Sequence, residues 1–387
     1  MTLETGATTP LSIDRPPHSV DHPTLSYLAH ALGAAFPLAA GLALYGWRAA
    51  GVIALVLSAT ALGVFIWSRV GARGAILGYR RVLWLGLLLA LTLPPHLVLS
   101  TPRSPFSVET MIWAILPAAG LLLVILLWVV GGLRWAPIHP LLLTYLAVVF
   151  CYHEAMTPHV VLHRTHLAVG DVMDVDASVT TSGSTAEPWS KLTERPRHDA
   201  LYQEIPASQR LSEYTRGLPR QRAPMAMEAM LRDYMPPLED FVIGGHPGPI
   251  GASSAIAVII GGLVLLYFGV IDCRVPLIIL TVAFVGFGVL PALVMQGAQV
   301  DWEASVTFAN YEIMASPLLL VAIFLATHHE ICPTSRKARG IFALFMGLLT
   351  VACQLYLSVA YGPYIALGLA TLLTSWLEQR LEPSNEL

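Results

Sequence analysis

Charge is scarce in this chain. Of its 387 residues, 22 are Lys or Arg and 25 are Asp or Glu, 12% in all, against about 25% in soluble domains. That shortage excludes an ordinary soluble enzyme and a disordered chain. A basic surface is missing too: the net charge of −3 gives nucleic-acid phosphates nothing to bind, so no nucleic-acid partner is expected. Cysteine is sparse, four residues with no Cys-x-x-Cys pair, which removes the common zinc and iron–sulfur motifs. The N-terminal stretch lacks the basic, then apolar, then small order of a cleaved leader, and none is expected. What is abundant is apolar residues, 55% of the chain. A polytopic membrane protein remains.

A bilayer core of about 30 Å takes about 20 apolar residues per helix. Ten segments are candidates, near 24–45, 51–69, 82–99, 110–130, 138–152, 252–271, 276–296, 308–327, 340–358 and 361–378, the fifth and tenth of them short. Between the fifth and sixth lies a polar region, 153–247, with nine Lys/Arg and thirteen Asp/Glu. Those charges and their backbone need water, so this region lies outside lipid. The expected organisation is a terminal segment (1–23), five helices (24–152), a long loop (153–247), five helices (248–378) and a tail (379–387). The fold class is all-α.

Basic residues orient the spans. With the N-terminus inside, Arg15, Arg69, Arg73, Arg80, Arg81, Arg134, Arg274, Arg336, Lys337, Arg339 and Arg380 fall inside, and only Arg48 and Arg103 fall in short outer loops. Both termini are therefore expected in the cytoplasm and the long loop outside it. Five spans per half give the halves opposite topology, the plan of inverted-repeat membrane folds.

Ionisable groups within the spans are almost absent. Glu312 is the one carboxylate well inside a span, either a functional acid or a side chain reaching the interface beside Asp301 and Glu303. Outside span five, His159, His163 and His166 follow an i, i+4, i+7 spacing beside His153 and Glu154. On a helix they share one face, suited to a metal or haem iron or to the wet side of an interfacial helix. His328 and His329 at the end of span eight pose the same choice.

Glycine-rich turns precede two spans: Gly131-Gly132 through Ala136-Pro137-Ile138-His139-Pro140, and Gly244-Gly245 through Gly248-Pro249-Ile250-Gly251-Ala252-Ser253-Ser254. Glycine allows close backbone approach to a ligand, and free N–H groups at helix starts suit anionic or carbonyl oxygens. Plain turns with helix caps have the same composition. In the long loop, Ser182-Gly183-Ser184-Thr185 is a small hydroxyl-bearing element of the kind that also fills linkers.

In this order the stretches resemble the RnfD/NqrB family, the membrane subunits of the Rnf electron-transport complex and of the sodium-translocating NADH:quinone reductase. His22-Pro23-Thr24 opens span one as the family does, and Leu91-Thr92-Leu93-Pro94-Pro95 ends span three likewise. Gly248-Pro249-Ile250-Gly251-Ala252-Ser253-Ser254 is similar to the family's Gly-Ser-Ile-Gly-Glu-Thr-Ser. Phe324-Leu325-Ala326-Thr327 resembles a stretch that continues Asp-Pro, where this chain has His328-His329. The resemblance covers nearly the whole chain and is weakest over 186–235.

The resemblance implies a membrane subunit of a redox-driven ion pump of the bacterial cytoplasmic (inner) membrane. It implies FMN linked through a phosphodiester to Thr185, with Ser182, Gly183 and Ser184 completing the motif read by a flavin transferase. A second flavin, riboflavin or FMN, is implied among the helices, with Gly131, Gly132, Gly248, Gly251 and Ser253 as candidate contacts. Val179 stands where the family has an Asp, and Ser184 where it has Ala. Expected partners are the other subunits of an Rnf/Nqr-like complex, the transferase and membrane lipid. The chain alone is not expected to be an enzyme. Two other readings of the same scaffold are a transporter or channel and a subunit without a redox centre.

Overall fold

The computed structural model describes residues 23–70, 78–98, 108–132, 138–152, 156, 238–244, 248–294 and 302–381, and among these there is no strand. The helices are α1 (Pro23–Tyr45), α2 (Trp47–Val70), α3 (Tyr79–Thr92), α4 (Val108–Gly132), α5 (Pro140–Cys151), α6 (Leu238–Ile243), α7 (Ala255–Tyr267), α8 (Arg274–Val294), α9 (Trp302–Met314), α10 (Leu318–Leu320), α11 (Arg336–Tyr356) and α12 (Gly362–Leu381). Short 3₁₀ turns lie at Pro95–Val98 and Ile250–Ala252, and a π-helical segment, Val321–Leu325, continues α10.

Local chemistry sets the starts of several helices. Ser254 Oγ accepts the Ala257 N–H at α7, and Ser335 Oγ accepts the Ala338 N–H at α11. These are N-caps, which satisfy N–H groups the helix cannot pair itself. At α5 the cap is His139, whose Nδ1 accepts the Leu141 N–H with Pro140 at the first helical position, where proline costs no hydrogen bond. Three described helical stretches are long and apolar enough to cross a membrane by length and composition: Leu28–Tyr45, Trp47–Arg69 and Arg336–Tyr356. Five shorter apolar stretches accompany them: Ala114–Val129, Pro140–Cys151, Ala255–Tyr267, Arg274–Val289 and Gly362–Leu373.

The stretch expected as one span over 308–327 is broken. α9 begins earlier, at Trp302, and the chain bends by 65° before Leu318–Leu325. Pro317 supplies the reason: it has no N–H to continue α9 and disfavours helical backbone at Ser316. Ser316 Oγ takes over locally, donating to Ile313 O and accepting the Leu318 N–H. Counting the bent pair as one span gives up to four helices of spanning length.

Packing repeats between the halves. In the first, α2 packs on α3 and α4, and α4 on α5; in the second, α8 packs on α9 and α11, and α11 on α12. The halves meet where α1 packs on α7 and α5 on α12. The α1–α7 crossing is close. A Cβ on Gly33 would lie 3.0 Å from the Gly261 carbonyl oxygen, and a Cβ on Gly261 would collide with the Gly33 carbonyl. Small residues that let backbones approach are the usual means of packing helices in lipid. The third element of each half is its buried centre: α3 contributes Leu88, Leu89, Ala90 and Leu91, and the other half contributes the run from Ala315 to His328. Apolar side chains such as Leu62, Phe65, Ile66, Leu263, Leu277 and Leu348 point outward instead, as a surface facing lipid requires.

Candidate functional site

Both central elements are interrupted, and the Ile250–Ala252 turn packs against both, on the end of α3 and on α10. Pro94-Pro95 stops α3, leaving the Leu93 carbonyl with no helical partner. The Ile250 N–H donates to it at 3.1 Å. Gly251 fits beside it because a Cβ there would stand 2.8 Å from Leu91 Cβ and 3.0 Å from Leu91 O. Ser253 is fully buried and donates to Ile250 O at 3.0 Å. The glycine turn thus docks a 3₁₀ segment of the second half against the broken end of α3 and against α10. Irregular backbone at membrane depth is tolerated only where protein or a cavity covers it, and here protein does. Gly248 is buried in the same turn, whereas Gly131 and Gly132 end α4. Glu312, in α9, is fully buried.

The π-helical segment delivers the second group of polar residues. The Ala326 N–H donates to Val321 O, five residues back, which widens the helix by one residue per turn, a feature often found at functional sites. A tight turn follows, with Ile331 and Cys332 both donating N–H groups to His328 O. This places Glu330 between Arg81, at the start of α3, and His139, at the start of α5. Arg81 Nη2 donates to Glu330 Oε2 at 2.9 Å, and Arg81 Nε lies 2.5 Å from Oε1. His139 Nε2 stands 2.9 Å from Oε2. Because His139 Nδ1 accepts the Leu141 N–H, Nε2 is the nitrogen that donates.

Imidazoles crowd around this carboxylate. The His328 ring lies 4.4 Å from His329, 5.9 Å from His139 and 6.0 Å from His30. His30 in turn lies 5.3 Å from the Trp84 ring. His328 is 2% exposed, and its Nε2 has no hydrogen-bond partner among the described residues. Burial, with the neighbouring His329 and His139, lowers its pKa far below the ordinary histidine value, against the opposing pull of Glu330, so the ring is neutral. Burial also lowers the pKa of the half-exposed His329. Burial alone would raise the pKa of Glu330. The hydrogen bonds from His139 and Arg81 and the guanidinium charge outweigh it and hold the carboxyl below its usual range.

Thr185 with Ser182, Gly183 and Ser184, and the histidines His159, His163 and His166, lie outside the described residues. Of the polar residues that the fold does gather, the sequence marked His328, His329 and the turn containing His139. Arg81 enters the sequence reading only as an inside charge, and His30, Trp84 and Glu330 went unmarked, although Glu330 directly follows the histidine pair.

An all-helical core, apolar outward faces and broken central helices define a multi-pass membrane protein. The chain belongs to the NQR2, RnfD, RnfE family, whose model matches residues 13–385. It is similar to the D subunit of the Na(+)-translocating ferredoxin:NAD(+) oxidoreductase complex of Acetobacterium woodii, 32% identical over 148 residues. That match spans 38% of this chain and 42% of the relative's length. It is also similar to the D subunit of the ion-translocating oxidoreductase complex of Halorhodospira halophila, 25% identical over 357 residues, 90% of this chain and 88% of the relative. Both relatives are subunits of larger complexes.

Proposed function

We propose that this chain is the membrane subunit of an Rnf/Nqr-like ion-translocating electron-transport complex, carrying electrons through flavins. The family match over residues 13–385 supports this reading most directly. The repeated packing of the halves and the paired helix breaks agree with ten spans in two inverted halves. In that arrangement the termini are cytoplasmic, in the bacterial inner membrane, and 153–247 is extracytoplasmic. FMN is carried on Thr185, whose hydroxyl is the acceptor a phosphodiester link requires. Ser182, Gly183 and Ser184 form the segment a flavin transferase reads. A tethered flavin supplies one- and two-electron chemistry, and the protein supplies position. The chain's own part is to hold that group outside and a second flavin among the helices.

The test is in-gel ultraviolet fluorescence of the denatured chain after expression with a flavin transferase, beside Thr185→Ala. A fluorescent band lost in the variant is expected. A dark wild-type band, with the transferase active on a control substrate, overturns flavin attachment. A transporter on the same scaffold is the second reading, favoured by two broken helices with the Ile250–Ala252 turn packed on both. It requires the purified protein to be colourless.

A further inference from the structure

We propose that His139, His328 and Glu330 form a binding site for one divalent transition-metal ion of the zinc class. The inference is independent of the flavin reading. One ligand atom from each of the three residues lies within 4.8 Å of the others. All three are shielded: His139 is 7% and His328 2% exposed, and the Glu330 side chain 15%. Two imidazole nitrogens and one carboxylate oxygen are the ligand set of open zinc sites, in which a water or substrate takes the fourth position. Nitrogen and oxygen donors in this mixture select borderline first-row cations over calcium or magnesium.

His328 carries the argument furthest. Its Nδ1 faces the Glu330 N–H at 3.4 Å, so Nε2 is the uncommitted nitrogen, buried and without a partner among the described residues. A buried polar atom left unpaired costs about 1–3 kcal/mol, and coordination would satisfy it. His139 Nε2 and Glu330 Oε2 already stand 2.9 Å apart. Bonds of about 2.0–2.1 Å in tetrahedral geometry put ligand atoms about 3.3 Å apart. Small side-chain adjustments therefore bring three donors around one ion. Ligands from the start of α5 and from the turn after the π segment would make the ion a staple between the two halves.

Two costs limit its affinity. Ligation through Nε2 moves each ring proton to Nδ1, so the N–H contacts from Leu141 and Glu330 are given up. These are long, 3.3 and 3.4 Å. Arg81 also grips both oxygens of Glu330. It would remain as the outer partner that ligating carboxylates commonly keep, while its positive charge opposes the cation. The site is therefore weaker than a closed structural zinc site, and removing Arg81 should tighten it.

The test uses the full chain in detergent, purified without a polyhistidine tag, stripped with chelator and titrated with Co(II). One equivalent is expected to bind with a visible ligand-field band that Zn(II) abolishes. His328→Gln and Glu330→Gln should each weaken binding at least about tenfold with the helical circular-dichroism spectrum retained. His329→Gln should bind as the wild type does. Arg81→Gln should bind severalfold more tightly, and this arm decides if a ligand variant loses its helical spectrum. A folded wild type that takes up no stoichiometric Co(II) overturns the site. So does uptake shared equally by the folded ligand variants, which is adventitious surface binding, or a folded Arg81→Gln that binds no better.

Discussion

The Ile250 N–H donates to the Leu93 carbonyl at 3.1 Å, joining the turn that opens the second half of the chain to the broken end of α3. The bond exists because Pro94 and Pro95 cannot continue the α3 ladder. A carbonyl that a longer helix would have used internally becomes a docking point for the other half. The interruption and the inter-half contact are one feature.

Gly251 makes that docking possible, and its replacement is expected to undo it. A valine would press against Leu91 Cβ and its carbonyl, with Leu320 on the remaining side. Overpacking of this kind costs about 1–3 kcal/mol. Gly251→Val should lower the thermal unfolding midpoint in detergent, while Gly340→Ala, at a position with open space around it, should not. Equal midpoints for the two variants would remove Gly251 from the packing argument.

The α1–α7 crossing rests on two glycines whose backbones touch. Gly261→Val places a branched side chain into the Gly33 carbonyl and the Phe324 ring. The expected loss is again about 1–3 kcal/mol, expressed here as separation of the halves. Limited proteolysis of the folded variant should be faster than that of wild type. A cleavage rate matching wild type would show that the helices separate without cost.

Arg81 and Glu330 are coupled through two contacts, and His139 adds a third to the same carboxylate. A double-mutant cycle of Arg81→Ala and Glu330→Ala should give a coupling energy of about 1–3 kcal/mol, since the carboxylate is mostly buried and Arg81 only partly so. The unfolding midpoints of the four proteins measure it. A value near zero would place this pair with ordinary exposed ion pairs.

The apolar helices are legible in sequence because apolar length is a direct consequence of the bilayer. The starts of α5, α7 and α11 follow from His139-Pro140, Ser254 and Ser335. The break at Ser316-Pro317 is less legible, since the apolar run continues across it and hydropathy does not see backbone geometry. The cluster around Glu330 is least legible. Arg81, His139 and Glu330 are far apart in the chain, and only the packing of α3, α5 and the post-π turn brings them together. The charge pattern read Arg81 as an inside marker, whereas the fold also gives it a carboxylate partner.

Two exposed cysteines test the inverted arrangement. Cys151 ends α5 and Cys273 precedes α8. With five spans per half and cytoplasmic termini, Cys151 lies on the outer side and Cys273 on the inner. In variants retaining only one of them, a membrane-impermeant maleimide added to intact cells should label Cys151 and spare Cys273. Inside-out vesicles should give the reverse. Cys332 must be replaced in both, because it is only partly covered and lies in the turn on the expected inner side. Labelling of both cysteines from the same side would mean that an odd number of crossings does not separate them. The opposite topology of the halves would then fail, and with it the placement of 153–247 and Thr185 outside the cell membrane.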